Sequence, residues 1–138
     1  MLKKDILLKL LQQLDQVQKK AKALKMEGKN EEALTVVEEA YKKLLSISPE
    51  KLDEAGFISK LTNHSSLGLE EFNVLAELLK EEGDLYYEKQ KFSLAKTKYE
   101  QSLALFDYLN REEKVFSFER EAKTNLMQEY IKSIDRAE

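Results

Sequence analysis

The apolar residues of this chain recur at steps of three and four along most of its length. From Ile6 onward they fall at Leu7, Leu10, Leu11, Leu14, Val17, Ala21 and Leu24, which draws one stripe along a helix. The stripe runs into Gly28-Lys29-Asn30, and a second follows at Ala33, Leu34, Val37, Ala40, Tyr41, Leu44 and Leu45. Two helices joined by so short a turn lie antiparallel. The pattern stops at Ser48-Pro49, where Ser fits an N-cap and Pro a first helical position, so a short helix starts there and ends before Gly56. From Glu50 to Gly68 no long period holds. Phe57, Ile58 and Leu61 fit one further turn packed on the core, and Thr62-Asn63-His64-Ser65-Ser66 reads as loop.

A third stripe begins near Leu69 and continues through Phe72, Leu75, Ala76, Leu79, Gly83 and Tyr86, ending at Lys89-Gln90-Lys91. A fourth carries Phe92, Ala95, Tyr99, Leu103 and Phe106. After Asn110 a fifth carries Val115, Phe118, Ala122, Leu126, Tyr130 and Ile134. Five long helices account for most of the chain, and the fold class is all-α.

Composition agrees. With 138 residues, 42% hydrophobic and 36% charged, the chain suits one domain with a folded core under a heavily solvated surface. Only 4 Gly and 1 Pro leave little material for turns, which favours long elements over a many-stranded sheet. No cysteine is present, so neither disulfides nor thiolate chemistry arise, and the cytoplasm is the expected location. The opening run Met1 to Leu11 is broken by Lys9 and ended by Gln12 and Gln13 without a small-residue cleavage site, unlike a signal peptide. No segment is apolar for long enough to span a bilayer.

A net charge of −3 argues against nucleic acid as a partner, because phosphate affinity comes from concentrated Lys and Arg. Only Arg111, Arg120 and Arg136 could make bidentate contacts, and all three lie near acidic neighbours.

The third and fourth helices resemble a tetratricopeptide repeat. Leu79, Gly83 and Tyr86 match the family's large residue, Gly, and Tyr three positions on, although Glu82 stands where a Leu is usual. Phe92, Ala95, Tyr99 and Ser102 fall at the aromatic, small, aromatic and small positions of the partner helix. A helical Gly costs roughly 1 kcal/mol relative to Ala, and close approach of two backbones at Gly83 and Ala95, with Tyr86 and Tyr99 beside them, would compensate. The first helix pair is a weaker copy, with Ala21 for the Gly, Leu24 for the Tyr, and Ala33, Val37 and Ala40 on the partner helix. Asn30 and Phe92 occupy equivalent turn positions 62 apart, where adjacent repeats would differ by about 34. Roughly 28 residues are therefore inserted after Pro49.

The resemblance implies antiparallel hairpins stacked in a right-handed arrangement. Its expected parts are a first helix pair over 1–47, an inserted segment over 48–68, a second pair over 69–109 and a C-terminal capping helix over 111–136. The chain is also similar to a family of small proteins of low-GC Gram-positive bacteria, which brings no activity with it.

Candidate chemistry is sparse. His64 is the only histidine, and its neighbours Ser65 and Ser66, with Asp53, suggest a hydrolase triad but lack the strand-turn-helix context a nucleophile needs. One histidine cannot supply the two Glu-x-x-His pairs of a di-iron bundle. The acidic pairs Glu70-Glu71, Glu81-Glu82 and Glu112-Glu113 could hold Mg²⁺ in principle, but are more simply solvated helix faces or first-turn acids. The four glycines are isolated, so no phosphate-cradling loop exists. The aromatics sit at helical spacing and read as core. No catalytic residue, metal ligand or cofactor is expected.

In the resembled family, ligands lie against the concave face lined by the first helix of each pair. Carried over, the lining positions are Gln18, Lys22 and Lys25 from the first pair, and Lys80, Asp84 and Tyr87 from the second. The Lys-plus-Asn grip that some members place on a C-terminal carboxylate is not reproduced at those positions. The resemblance thus implies a non-catalytic interaction module for a protein or peptide partner. The alternatives are a homodimer that buries the outer face of the first helix, and a small enzyme or metal protein.

Overall fold

The computed structural model describes residues 2–64, 67–114 and 116–137. Among the described residues there are seven helices and no strand: α1 (Leu2–Met26), α2 (Asn30–Leu45), α3 (Pro49–Leu52), α4 (Phe57–His64), α5 (Leu69–Glu88), α6 (Phe92–Glu113) and α7 (Phe118–Ala137). Thr62, Asn63 and His64, expected in a loop, instead complete the last turn of α4. Its amphipathic Phe57, Ile58 and Leu61 carry the helix onward, and the Thr62 hydroxyl donates to the Ser59 carbonyl at 3.0 Å. Asn110 does not end the fourth helix. Three more residues continue it, and it stops at Lys114, whose left-handed φ of 56° turns the chain away. Ser48 precedes the first turn of α3 as expected, but its hydroxyl donates to the Glu50 carboxylate rather than capping the backbone. Ser65, Ser66 and Val115 lie outside the described residues, as does the side chain of His64.

The chain divides into two compact units, residues 1–57 and 58–138. In the first, α1 and α2 form a hairpin whose buried residues all come from the two apolar stripes: Leu10, Leu14 and Ala21 on α1, and Ala33, Leu34, Val37, Ala40, Tyr41 and Leu45 on α2, while Leu11 of the first stripe is exposed. In the second, α5 and α6 form a hairpin, and α7 lies along α6.

The two hairpin turns are alike bond for bond. Lys29 N–H donates to the Leu24 carbonyl at 2.8 Å and Gly28 N–H to Lys25 at 3.0 Å; 62 residues on, Lys91 donates to Tyr86 at 2.9 Å and Gln90 to Tyr87 at 3.0 Å. Each is a helix end closed by one left-handed residue, Gly28 at φ 77° and Gln90 at φ 62°. Ala33 and Ala95 then open the following helices on the same bond, to Lys29 and Lys91, at 3.0 Å in both.

The α5–α6 contact is close. A Cβ added to Gly83 would lie 2.7 Å from Tyr99 Cε1 and 3.4 Å from the Ala95 carbonyl oxygen, so only glycine leaves room for the Tyr99 ring. Ser102, fully buried, donates to the Ala76 carbonyl at 2.7 Å. At the far end Phe72 and Tyr108 meet edge to face at 5.4 Å. Inside this pair Glu82 and Lys98 face each other at 3.6 Å, each side chain 5% exposed.

α7 runs parallel to α5. Lys123 bonds Glu77, and Tyr87 donates to Ser133 at 3.4 Å, both pairs 46 residues apart. Against α6 it runs antiparallel, with Lys96 to Asp135 at 2.7 Å at one end and Arg120 to Glu113 at 2.7 Å at the other. Tyr130 lies between, stacked on Tyr99 at 5.7 Å. Met127 and Ile134 supply its buried apolar contacts.

Candidate functional site

Two surfaces bear on function: the positions inferred from the repeat, and a groove in the first hairpin. On α5, Lys80 and Asp84 are one turn apart and paired at 2.8 Å, with side chains only 13% and 19% exposed. Tyr99 donates to the other Asp84 oxygen at 2.6 Å. Burial, reinforced by the Asp84 charge, pushes the Tyr99 hydroxyl far above its ordinary pKa of 10, so it stays a donor. For Lys80, burial pulls the pKa down, but the Asp84 carboxylate outweighs it and the net shift is upward. The ammonium therefore stays charged.

Tyr87, one turn further, is half-buried between Phe92 at 5.4 Å and Tyr130 at 4.6 Å. The structure thus brings Lys80, Asp84 and Tyr87 to one side of α5, where α7 supplies Tyr130 and Ser133. These three positions are occupied with holding the second unit together.

On α1, Gln18 and Lys25 are half-buried and Lys22 is exposed. They share one flank of the helix. The opposite flank, beyond buried Leu14 and Ala21, faces α2 across a groove of about 210 Å³. Val17, Val36, Ala40 and Leu44 form its apolar floor, and Gln13, Gln16, Lys20, Glu39 and Lys43 its rim. The floor exists because Val36 sits beside the α2 core stripe and Leu44 on its edge, so both are half-buried and line a cleft. Sequence reasoning missed this flank. The one available signal was Val36, an apolar residue adjacent to Val37 that the periodic stripe did not require.

The groove is smaller than the ~300–1,000 Å³ of small-molecule sites. Its size and composition suit one or two apolar side chains, flanked by amide and ammonium groups able to bond a peptide backbone or carboxylate. Among the described residues no group of three or more His, Cys, Asp or Glu side chains is arranged to hold a metal ion. No described helix is long and apolar enough to cross a membrane. No family model, no curated protein and no solved structure matches the chain.

Proposed function

We propose that the protein is a non-catalytic interaction module of the tetratricopeptide kind, and that it holds a segment of another protein in the α1–α2 groove. The carrying observation is that groove: an apolar floor of Val17, Val36, Ala40 and Leu44 under a rim of mixed charge and amides. A helix or extended peptide would anchor an apolar side chain on the floor and bond its backbone to Gln13, Gln16 or Lys43. The repeat reading is supported by the turn bonds that recur 62 residues apart and by the Gly83–Tyr99 contact. Of the positions inferred from the family, Gln18, Lys22 and Lys25 lie on the opposite flank of α1 and are not part of this groove.

A photo-crosslinking residue at Glu39 or Lys20, both exposed on the rim, tests this in the native host. The expected result is a discrete adduct from both positions that is absent from the same residue placed at Glu100 on α6. Adducts of identical pattern from all three positions, or none from the rim, would count against the groove.

A second reading is favoured by a separate observation. At the start of α1, Leu8 and Leu11 are 56% and 41% exposed on one flank and Ile6 is 65% exposed on the other, exposed apolar side chains that suit self-association.

A further inference from the structure

α1 has 25 residues and α2 has 16, so at ~1.5 Å per residue α1 projects beyond its partner by about 13 Å. The projecting end carries Leu8 and Leu11 on one flank and Ile6 on the other, with Lys4, Asp5 and Lys9 exposed around them. α1 as a whole holds seven lysines and two aspartates, a net charge of +5. With −3 for the chain, the remaining residues carry −8.

α7 has the opposite setting. Phe118, Ala122 and Leu126, four apart, form one exposed stripe, with Phe118 82% and Leu126 44% exposed. Phe116, itself 64% exposed, meets Phe118 edge to face at 4.7 Å and widens the patch. The bases of these first turns are turned inward: Arg120 bonds Glu113 at 2.7 Å and Asn110 at 3.1 Å, and Lys123 bonds Glu77. The acids Glu119 and Glu121 stay exposed at the rim of the stripe.

We propose that the projecting end of α1 docks on the α7 stripe of a second copy, so that molecules associate head to tail. This rests on the self-association reading and names its two surfaces. A symmetric pairing of α1 ends would bring together two surfaces in which Lys4 and Lys9 outnumber Asp5, whereas docking on α7 sets that excess positive charge against Glu119 and Glu121. Each molecule carries one surface of each kind. One head-to-tail contact leaves a head and a tail free, which close reciprocally on each other or join further copies in a ring or chain.

Two variants decide it: a head variant, Ile6→Glu with Leu8→Glu, and a tail variant, Phe118→Lys with Leu126→Lys. All four changes fall on exposed side chains, and far-UV dichroism checks the fold. Light scattering is expected to show wild type associating with concentration, each variant alone monomeric, and their equimolar mixture forming a 1:1 heterodimer and nothing larger. The mixture has one intact head and one intact tail, which a merely misfolded variant could not imitate. In wild type, raising salt from low to high should weaken association on the order of tenfold, because exposed charges are screened. A tail variant that still dimerises alone would show α1 pairing with itself and overturn the proposal while leaving self-association intact. A mixture that stays monomeric while wild type assembles would do the same. Wild type that is monomeric at every concentration would overturn both.

Discussion

Tyr99→Ala is expected to lower the unfolding free energy by about 4 kcal/mol, within the ~3–5 kcal/mol measured for removing buried aromatic rings. Tyr99 is fully buried, stacks on Tyr130 and donates a hydrogen bond from its hydroxyl to Asp84. The ring is thus shared by α5, α6 and α7. Tyr99→Phe keeps the packing and loses only a bond to a charged acceptor, an effect of about 1.5–3 kcal/mol. The comparison separates ring from hydroxyl. Because burial raises the folded hydroxyl's pKa above its ordinary 10, its contribution is fully present below pH 10 and is lost as pH rises beyond that value. Urea unfolding of both variants, repeated at alkaline pH, checks the size and the sign.

The same ring fixes what Gly83 can become. Gly83→Ala in the middle of a helix normally gains about 1 kcal/mol, but here the new Cβ would lie 2.7 Å from Tyr99 Cε1. Overpacking of about 1–3 kcal/mol outweighs the gain. In the Tyr99→Ala background the clash is gone, and the substitution is expected to stabilise. A sign reversal between the two backgrounds is a coupling that only contact between these residues produces.

The second large effect lies one residue away, at Lys98 beside Tyr99 and Glu82 beside Gly83. Lys98→Met is expected to cost about 3–5 kcal/mol, because it removes the cation that faces buried Glu82. The pair is 3.6 Å apart and each side chain is 5% exposed, a loose contact for two desolvated charges. Replacing both, as Glu82→Leu with Lys98→Met, should bring stability to within about 1 kcal/mol of wild type or above it, since apolar pairs of similar volume commonly match buried ion pairs. A double variant as weak as the single one would show that the charges themselves hold α5 to α6.

These residues also explain how much the sequence disclosed. Apolar period gave the five long helices, and Gly83 with Ala95 pointed to the close backbone approach, because a glycine that interrupts a helical stripe needs a packing reason. The turn at Gln90 was located without its mechanism: the left-handed residue there is not a glycine, so composition carried no signal for it. α4 was read short because its last turn is Thr62, Asn63 and His64, residues that favour loops on their own and are helical here through the amphipathic residues before them.

The candidate site was less legible. Lys80, Asp84 and Tyr87 form a polar stripe on α5 that periodicity assigns to solvent, yet Tyr130 and Ser133 of α7 pack against it through ring and hydroxyl contacts. Hydrophobic pattern does not register a helix that packs by polar pairs on its second side. The α1–α2 groove was hidden for a related reason. Period identifies the face that enters the core, while a cleft forms at the flank of that face, where half-buried Leu44 is an ordinary member of the stripe and only Val36 stands outside it.

The central claim is that the α1–α2 groove holds a segment of a partner protein. Once rim crosslinking has identified such a segment, a synthetic peptide of it titrated into isotope-labelled protein tests the claim most directly by chemical-shift mapping. The account predicts saturable shifts centred on Gln13 to Lys20 and Val36 to Leu44, abolished by Val36→Glu while the rest of the spectrum is unchanged. Shifts centred instead on Lys80 to Tyr87 and Tyr130, or spread evenly along the chain, would contradict it.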